Sequence, residues 1–222
     1  ITGNQFGIVV KDGADLASVT GNTITDNTHG GIIIESTAGS IGVINNNIIS
    51  GNGYTFDVTH GLGLQNATTN VVDATNNFWG DASGPYNTPY NTCGLGNAVV
   101  GPVDFMPWWT TETGGASPAM LVQNITDPLN IKFYCTIQDA INDAGTNNTI
   151  VLSAGNYLES DITIDKDGLI LQGAGQTATF IIPDPTKTDN HDCSPLGGIA
   201  HHGIIIQAQN VTEKNYRMTE VK

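Results

Sequence analysis

Two series of short segments recur along this chain at a spacing of roughly 25 residues, and that spacing limits what it can fold into. Gly7-Ile8-Val9-Val10, Gly31-Ile32-Ile33-Ile34 and Gly61-Leu62-Gly63-Leu64 form the first series, with starts 24 and then 30 residues apart. Val19-Thr20-Gly21-Asn22-Thr23-Ile24, Ile44-Asn45-Asn46-Asn47-Ile48-Ile49 and Ala74-Thr75-Asn76-Asn77-Phe78-Trp79 form the second. Two series in one register mean that each repeat is a unit stacked on the one before it. Short β-branched runs punctuated by Gly and Asn read as strand, turn, strand, turn. The expectation is an all-β chain whose repeats are the coils of a parallel β-helix.

The local chemistry fits that expectation. Ile and Val suit a strand buried on one face, because their branched side chains pack along the pleat. The inward set predicted on this basis is Ile24, Ile33, Ile49, Ile164, Leu171 and Ile205. Turns between strands need residues that tolerate left-handed backbone, such as Gly21, Gly51, Gly53 and the many asparagines. Asn22, Asn47 and Asn77 occupy equivalent places, so their amides can stack as a hydrogen-bonded ladder along the axis at roughly the 4.8 Å strand spacing.

Seven basic residues against 21 acidic ones give a formal net charge of −14. Nucleic acid and anionic membranes are poor partners for such a surface, since phosphate recognition relies on clustered Lys and Arg. No apolar run approaches a membrane span. Asn66, Asn124, Asn147 and Asn210 each begin an Asn-x-Thr sequon, and they are the glycosylation candidates of an extracellular or cell-surface chain. Three cysteines are too few for a disulfide scaffold; Cys135 and Cys193 are the pair expected to join, leaving Cys93 free or intermolecular.

Organisation follows from where the repeats stop. Residues 1–109 read as the last coils of a β-helix with a closing cap, 110–132 as a linker, and 133–222 as the first coils of another. A solenoid end needs cover, for which Phe78, Trp79, Phe105, Trp108 and Trp109 are suited; stacking against sugars is the functional alternative for these rings. Thr136-Ile137-Gln138-Asp139 resembles a capping box, and Ile137, Ala140, Ile141 and Ala144 recur at helical spacing until Gly145. One amphipathic helix is therefore predicted near 136–145. Strands are expected at Thr149–Leu152, Ile162–Ile164, Leu169–Leu171 and Phe180–Ile182, and a new coil starts at Gly203.

Residues 135–182, through Thr136-Ile137-Gln138-Asp139-Ala140-Ile141, Ile150-Val151-Leu152, Gly155-Asn156-Tyr157 and Leu171-Gln172-Gly173-Ala174-Gly175, resemble the capped start of pectin-lyase-like right-handed parallel β-helices. Asn76-Asn77-Phe78-Trp79-Gly80-Asp81-Ala82-Ser83-Gly84-Pro85 is similar to the closing motif of β-helix repeat proteins of prokaryotic cell surfaces. The resemblance implies a fold but no single activity, because that superfamily includes lyases, hydrolases, adhesins and structural rods. The capped start follows the closing motif, so the order is permuted. From Gly203 through the last residue and on to Gly7 of a following copy is 26 residues, close to one coil.

Relatives that hydrolyse polysaccharides use clustered carboxylates, and lyase relatives use carboxylate-bound Ca²⁺ with a basic residue. Arg217 is the one arginine and has no acidic cluster at a matching place, and Lys11, Lys132, Lys166, Lys187, Lys214 and Lys222 are scattered. No catalytic set is assigned. His29, His60 and His202 precede Gly-initiated strands, but turn positions account for them. No cofactor is assigned; calcium held by loop carboxylates such as Asp12, Asp15, Asp189 and Asp192 is the candidate. The expected role is a structural extracellular building block that assembles head to tail, or as tandem repeats, into a fibre, sheath or surface layer. Its joint would involve Ile1, Phe6, Ile8, Ile204, Ile206 and Val221, and its partners would be copies of itself and surface glycans. A cell-surface adhesin or carbohydrate-binding β-helix is the alternative, and a polysaccharide lyase or hydrolase ranks below both.

Overall fold

The computed structural model describes residues 1–53, 59–115, 121–128, 130–184 and 203–219. The chain is mostly β, with one helix among the described residues and many short parallel sheets. It divides into two compact units, Ile1–Pro118 and Ala119–Lys222.

The first unit runs β1 (Phe6–Val10), β2 (Leu16–Thr20), β3 (Thr23–Thr25), β4 (Gly30–Ile34), β5 (Ile41–Asn45), β6 (Ile48–Ser50), β7 (Leu62–Asn66), β8 (Val72–Asp73), β9 (Ala98–Val100) and β10 (Val103–Asp104). Strands one repeat apart pair in parallel: β1-β4-β7-β9 form one sheet, and β2-β5, β3-β6 and β8-β10 form three more. Register keeps like on like, with Ile8 beside Ile32, Val19 beside Ile44 and Ile24 beside Ile49. These inner rows are the core: Ile24, Ile32, Ile34, Ile44, Ile49 and Leu64 are fully buried.

Ile33 departs from the predicted inward set. Three consecutive isoleucines carry no phase of their own, and the pleat turns Ile32 and Ile34 inward. Ile33 is left on the outer row beside the exposed Val9.

Two features explain why Gly and Asn return at fixed places. Gly21, Asn46 and Asn76 share one turn with φ of 66°, 57° and 55°, and Gly3, Asp26 and Gly51 share another with 73°, 57° and 66°. Only Gly, Asn and Asp adopt that left-handed backbone readily, so they substitute for one another there. Gly7, Gly31 and Gly63 answer a different demand. A Cβ on Gly7 would lie 2.6 Å from the Gly31 carbonyl oxygen, and one on Gly31 would lie 2.5 Å from that of Gly63. The backbones approach so closely that no side chain fits between them.

The second unit runs β11 (Val122–Asn124), β12 (Lys132–Tyr134), α1 (Ile137–Asp143), β13 (Thr149–Leu152), β14 (Gly155–Leu158), β15 (Ile162–Ile164), β16 (Ile170–Gly173), β17 (Thr179–Ile182), β18 (Ile204–Ile206), β19 (Thr212–Lys214) and β20 (Arg217–Met218). Parallel sheets recur as β13-β16-β19, β14-β17-β20 and β15-β18. The stretch expected to be a linker is partly structure. β11 pairs antiparallel with both β12 and β13, burying Val122, so this sheet is mixed rather than wholly parallel. Ile205 also departs from its predicted place: it pairs with Thr163, while Ile204 and Ile206 follow the buried Ile162 and Ile164.

α1 is held at its start by two groups. Thr136 accepts from the Asp139 amide at 3.0 Å, as its capping sequence suggested. Glu159, 5% exposed, accepts from the Ile137 and Gln138 amides at 2.7 Å each. Its carboxylate answers the helix's unpaired N–H groups and its positive end. Ile137, Ala140 and Ile141 turn into the core with Ile150, Leu152, Ile162 and Leu171. The helix ends because Ala144 is extended (φ −71°, ψ 147°), not through left-handed backbone at Gly145.

Candidate functional site

Two asparagine ladders run through the first unit. Asn22, Asn47 and Asn77 are joined along the repeat. The Asn22 amide donates to Asn47 Oδ1 at 2.9 Å, and the Asn47 amide donates to Asn77 Oδ1 at 2.9 Å. Asn47 Nδ2 lies within 3.0 Å of Val19 O, Asn45 O and Asn77 Oδ1. Asn77 Nδ2 donates to Ile44 O and Ala74 O. Asn47 and Asn77 are fully buried, so each amide satisfies backbone groups that no water reaches.

A second ladder was not anticipated. The amides of Asn4, Asn27 and Asn52 donate to the side-chain oxygens of Asn27, Asn52 and Asn97 at 3.1, 3.1 and 3.0 Å. Its first members share a signal with the other ladder, since each asparagine follows a left-handed residue: Gly3-Asn4, Asp26-Asn27, Gly51-Asn52. Asn97 is 45 residues beyond Asn52, so the period hides it.

The four sequons differ sharply. Asn66 is 2% exposed and donates to Asn70 O and Pro102 O at 2.8 Å each, while accepting from Thr68 N and Oγ1. It does not stand outward as expected, because its amide closes a loop. Asn124 is half-buried and donates to Asn148 Oδ1 at 2.9 Å. Asn147 and Asn210 are exposed, with φ of 60° and 56°.

Cys93 and Cys135 are both disulfide-bonded. A bonded Cys93 removes the free-thiol alternative that its sequence left open. Cys193 lies outside the described residues, as do Asp189, Asp192, His202 and Val221.

Among the candidate joint residues, Ile1, Phe6 and Ile206 are exposed at 50%, 39% and 50%, and Ile8 and Ile204 are half-buried. Met218, on the inner row beyond Ile181, is 44% exposed. The neighbouring Leu171 row is not wholly apolar. Glu213 stands in register with the buried Leu171 and is hydrogen-bonded by Tyr216. Burial first, and then the Glu213 charge and hydrogen bond, push the Tyr216 hydroxyl well above its usual range.

Several other charged groups sit in local structural pairs. Asp15 accepts from Ser40 N and Oγ at 2.6 and 2.8 Å, which holds its carboxyl below the usual range. Asp12 pairs with Lys11 at 3.5 Å. Asp143 accepts from Lys132 at 2.8 Å and Tyr134 at 2.5 Å and is likewise held low. No group of three or more His, Cys, Asp or Glu side chains fit to hold a metal occurs among the described residues. Trp79, Phe105 and Trp108 are buried, and Trp108 Nε1 donates to Ala82 O, so these rings serve as cover rather than sugar platforms. Phe78 and Trp109 are half-buried. His29 contacts Thr28 and the Phe6 ring, and His60 stacks on Tyr86 at 3.9 Å. In comparison with known proteins, the chain matches no family model, no curated protein and no solved structure.

Proposed function

We propose that the parallel sheets of each unit are the faces of a right-handed β-helix resembling the pectin-lyase-like repeat proteins, and that the chain is a structural building block of an extracellular fibre, sheath or surface layer. The observation that carries this reading is the continuity of the stacking. In the first unit, inner apolar rows, a glycine column and two amide ladders all run from one repeat to the next. Each device favours adding a further coil, and none creates a recess for a small molecule.

Assembly extends the same contacts. A joint between Gly203–Thr219 and Ile1–Val10 covers Ile204, Ile206 and Met218 with Ile1, Phe6 and Ile8, removing apolar area from water at about 25 cal/mol per Å². It also pairs strand edges that otherwise stand open. A head-to-tail contact of this kind does not close on itself and propagates as a filament, and the same contact made within a longer tandem polypeptide yields the same rod. Glu213 makes the joint selective, because a coil laid over it must leave its pairing with Tyr216 intact. No described helix is long and apolar enough to cross a membrane.

The reading is tested by sedimentation velocity across a wide concentration range, with negative-stain imaging of the same samples. Rods that lengthen with concentration are expected. A monomer stable at high concentration would sink the fibre and favour an adhesin. Turnover of pectins or related acidic polysaccharides, detected as new reducing ends or unsaturated products, would favour an enzyme.

A further inference from the structure

We propose that Asn147 and Asn210 are the N-glycan acceptors of this chain and that they mark one turn edge of the second unit as its sugar-bearing edge. The proposal rests on the extracellular reading above for its biological setting and on geometry for its choice of residues. Asn147, Gly168 and Asn210 each lie two residues before a paired strand position, Thr149, Ile170 and Thr212, so they occupy the same turn of three successive repeats. All three have left-handed backbone, with φ of 60°, 70° and 56°. The turns are tied together by Asn147 N to Asp167 O at 2.9 Å and Gly168 N to Gln209 O at 2.8 Å. Parallel strands are about 4.8 Å apart, which puts the two asparagines roughly 10 Å apart on one edge.

Glycan transfer needs a free amide nitrogen and a reachable hydroxyl two residues on. The anomeric carbon of a lipid-diphosphate-linked oligosaccharide bonds to Nδ2 as its bond to the diphosphate oxygen breaks. Nδ2 gives up one proton to the transferase, and the lipid diphosphate leaves. Asn147 and Asn210 are exposed, and neither side-chain nitrogen is engaged among the described residues. The bare Cα of Gly168 leaves room for the Asn147 amide, whose Oδ1 occupies the space where a Cβ would be.

The other two sequons are closed. Both hydrogens of Asn66 Nδ2 are donated to backbone carbonyls, and Thr68 Oγ1 is turned back onto Asn66 Oδ1 at 2.8 Å. Asn124 ends a strand paired on both sides, holds Asn148 through Nδ2 and accepts from Thr126 N, while Thr126 Oγ1 accepts from Thr149 N. A sugar on Asn66 removes one of its two backbone anchors, which disfavours the native fold of chains modified there.

The test is site-resolved glycopeptide mapping of the folded, monodisperse full chain, both from native material and after secretion from an N-glycosylating host. Glycan at Asn147 and Asn210, with Asn66 and Asn124 bare, is expected. The double variant Asn147→Asp, Asn210→Asp, which keeps residues that accept the left-handed backbone, should lose all glycan mass with an unchanged melting temperature. Occupancy of Asn66 or Asn124 in the folded fraction, or bare Asn147 and Asn210 after secretion, overturns the assignment. Bare native protein beside an occupied secreted one refutes glycosylation of the native chain and leaves only the acceptor geometry standing.

Discussion

Replacing Asn47 with alanine removes the centre of a ladder, and its cost follows from the hydrogen bonds around it. Asn47 Oδ1 accepts from the Asn22 amide at 2.9 Å, and Nδ2, with two hydrogens, serves acceptors among Val19 O, Asn45 O and Asn77 Oδ1. Alanine leaves at least one amide and two carbonyls without that partner. Asn47 is fully buried, so water does not replace the contacts made there. A buried group left unsatisfied costs about 1–3 kcal/mol, and the amide cavity adds to the loss. Part of this is recovered where Asn22 reaches solvent, which leaves about 3–5 kcal/mol, a third or more of a typical domain's stability. Asn22→Ala is the matched control. Asn22 is exposed and donates to Thr20 O and Asn47 Oδ1, so its loss should cost about 1 kcal/mol or less. Urea unfolding of both variants, followed by circular dichroism with slopes compared, reads the difference. Equal midpoints for the two variants would refute the reasoning, since the ladder would then be decoration on a fold held by its apolar rows.

Further outcomes are expected elsewhere. Gly31→Ala should destabilise by about 2–4 kcal/mol, because its Cβ meets the Gly63 carbonyl oxygen at 2.5 Å, whereas Gly145→Ala, with nothing nearer than 3.8 Å, should change thermal stability little. Glu159→Ala strands the Ile137 and Gln138 amides and should cost about 2–4 kcal/mol with visible loss of helix signal; an unchanged spectrum and midpoint would contradict the anchoring role. The Asp143 carboxyl is held low chiefly by the Lys132 hydrogen bond and then by Tyr134, so its contribution is present above the ordinary carboxylate range and is lost as pH falls through the folded value. Because Lys132 and Asp143 are 35% and 47% exposed, that contribution should not exceed about 1 kcal/mol, and Asp143→Asn should lower urea midpoints at pH 6 more than at pH 3. Ile206→Asp, at a position already 50% exposed, should abolish assembly, read by sedimentation velocity, without lowering the melting temperature of the monomer, while Glu213→Leu should lengthen the rods.

What could be read from the chain was what repeats. Register between β1 and β4, between β2 and β5, and between β3 and β6 follows directly from recurring Gly, Asn and β-branched residues, and so does the Asn22, Asn47, Asn77 ladder. The phase of Ile33 and Ile205 was not legible, because a run of isoleucines is the same on both faces and alternation is fixed by the neighbouring strand. β11 and β12 were hidden for another reason. They pair antiparallel and do not recur, so they resemble linker until the partner strand β13 is in view. Long-range partners such as Glu159 for α1 and Asn97 for Asn52 carry no local signal at all.

A cryo-electron reconstruction of native particles, resolved well enough to trace both ends of the chain, tests the building-block reading most directly. The expected result places Gly203–Thr219 against Ile1–Val10 at one strand spacing, about 4.8 Å, with Ile206 and Met218 covered and the inner rows unbroken across the boundary. Particles in which those segments face solvent, or in which an unrelated surface makes the contact, would contradict it.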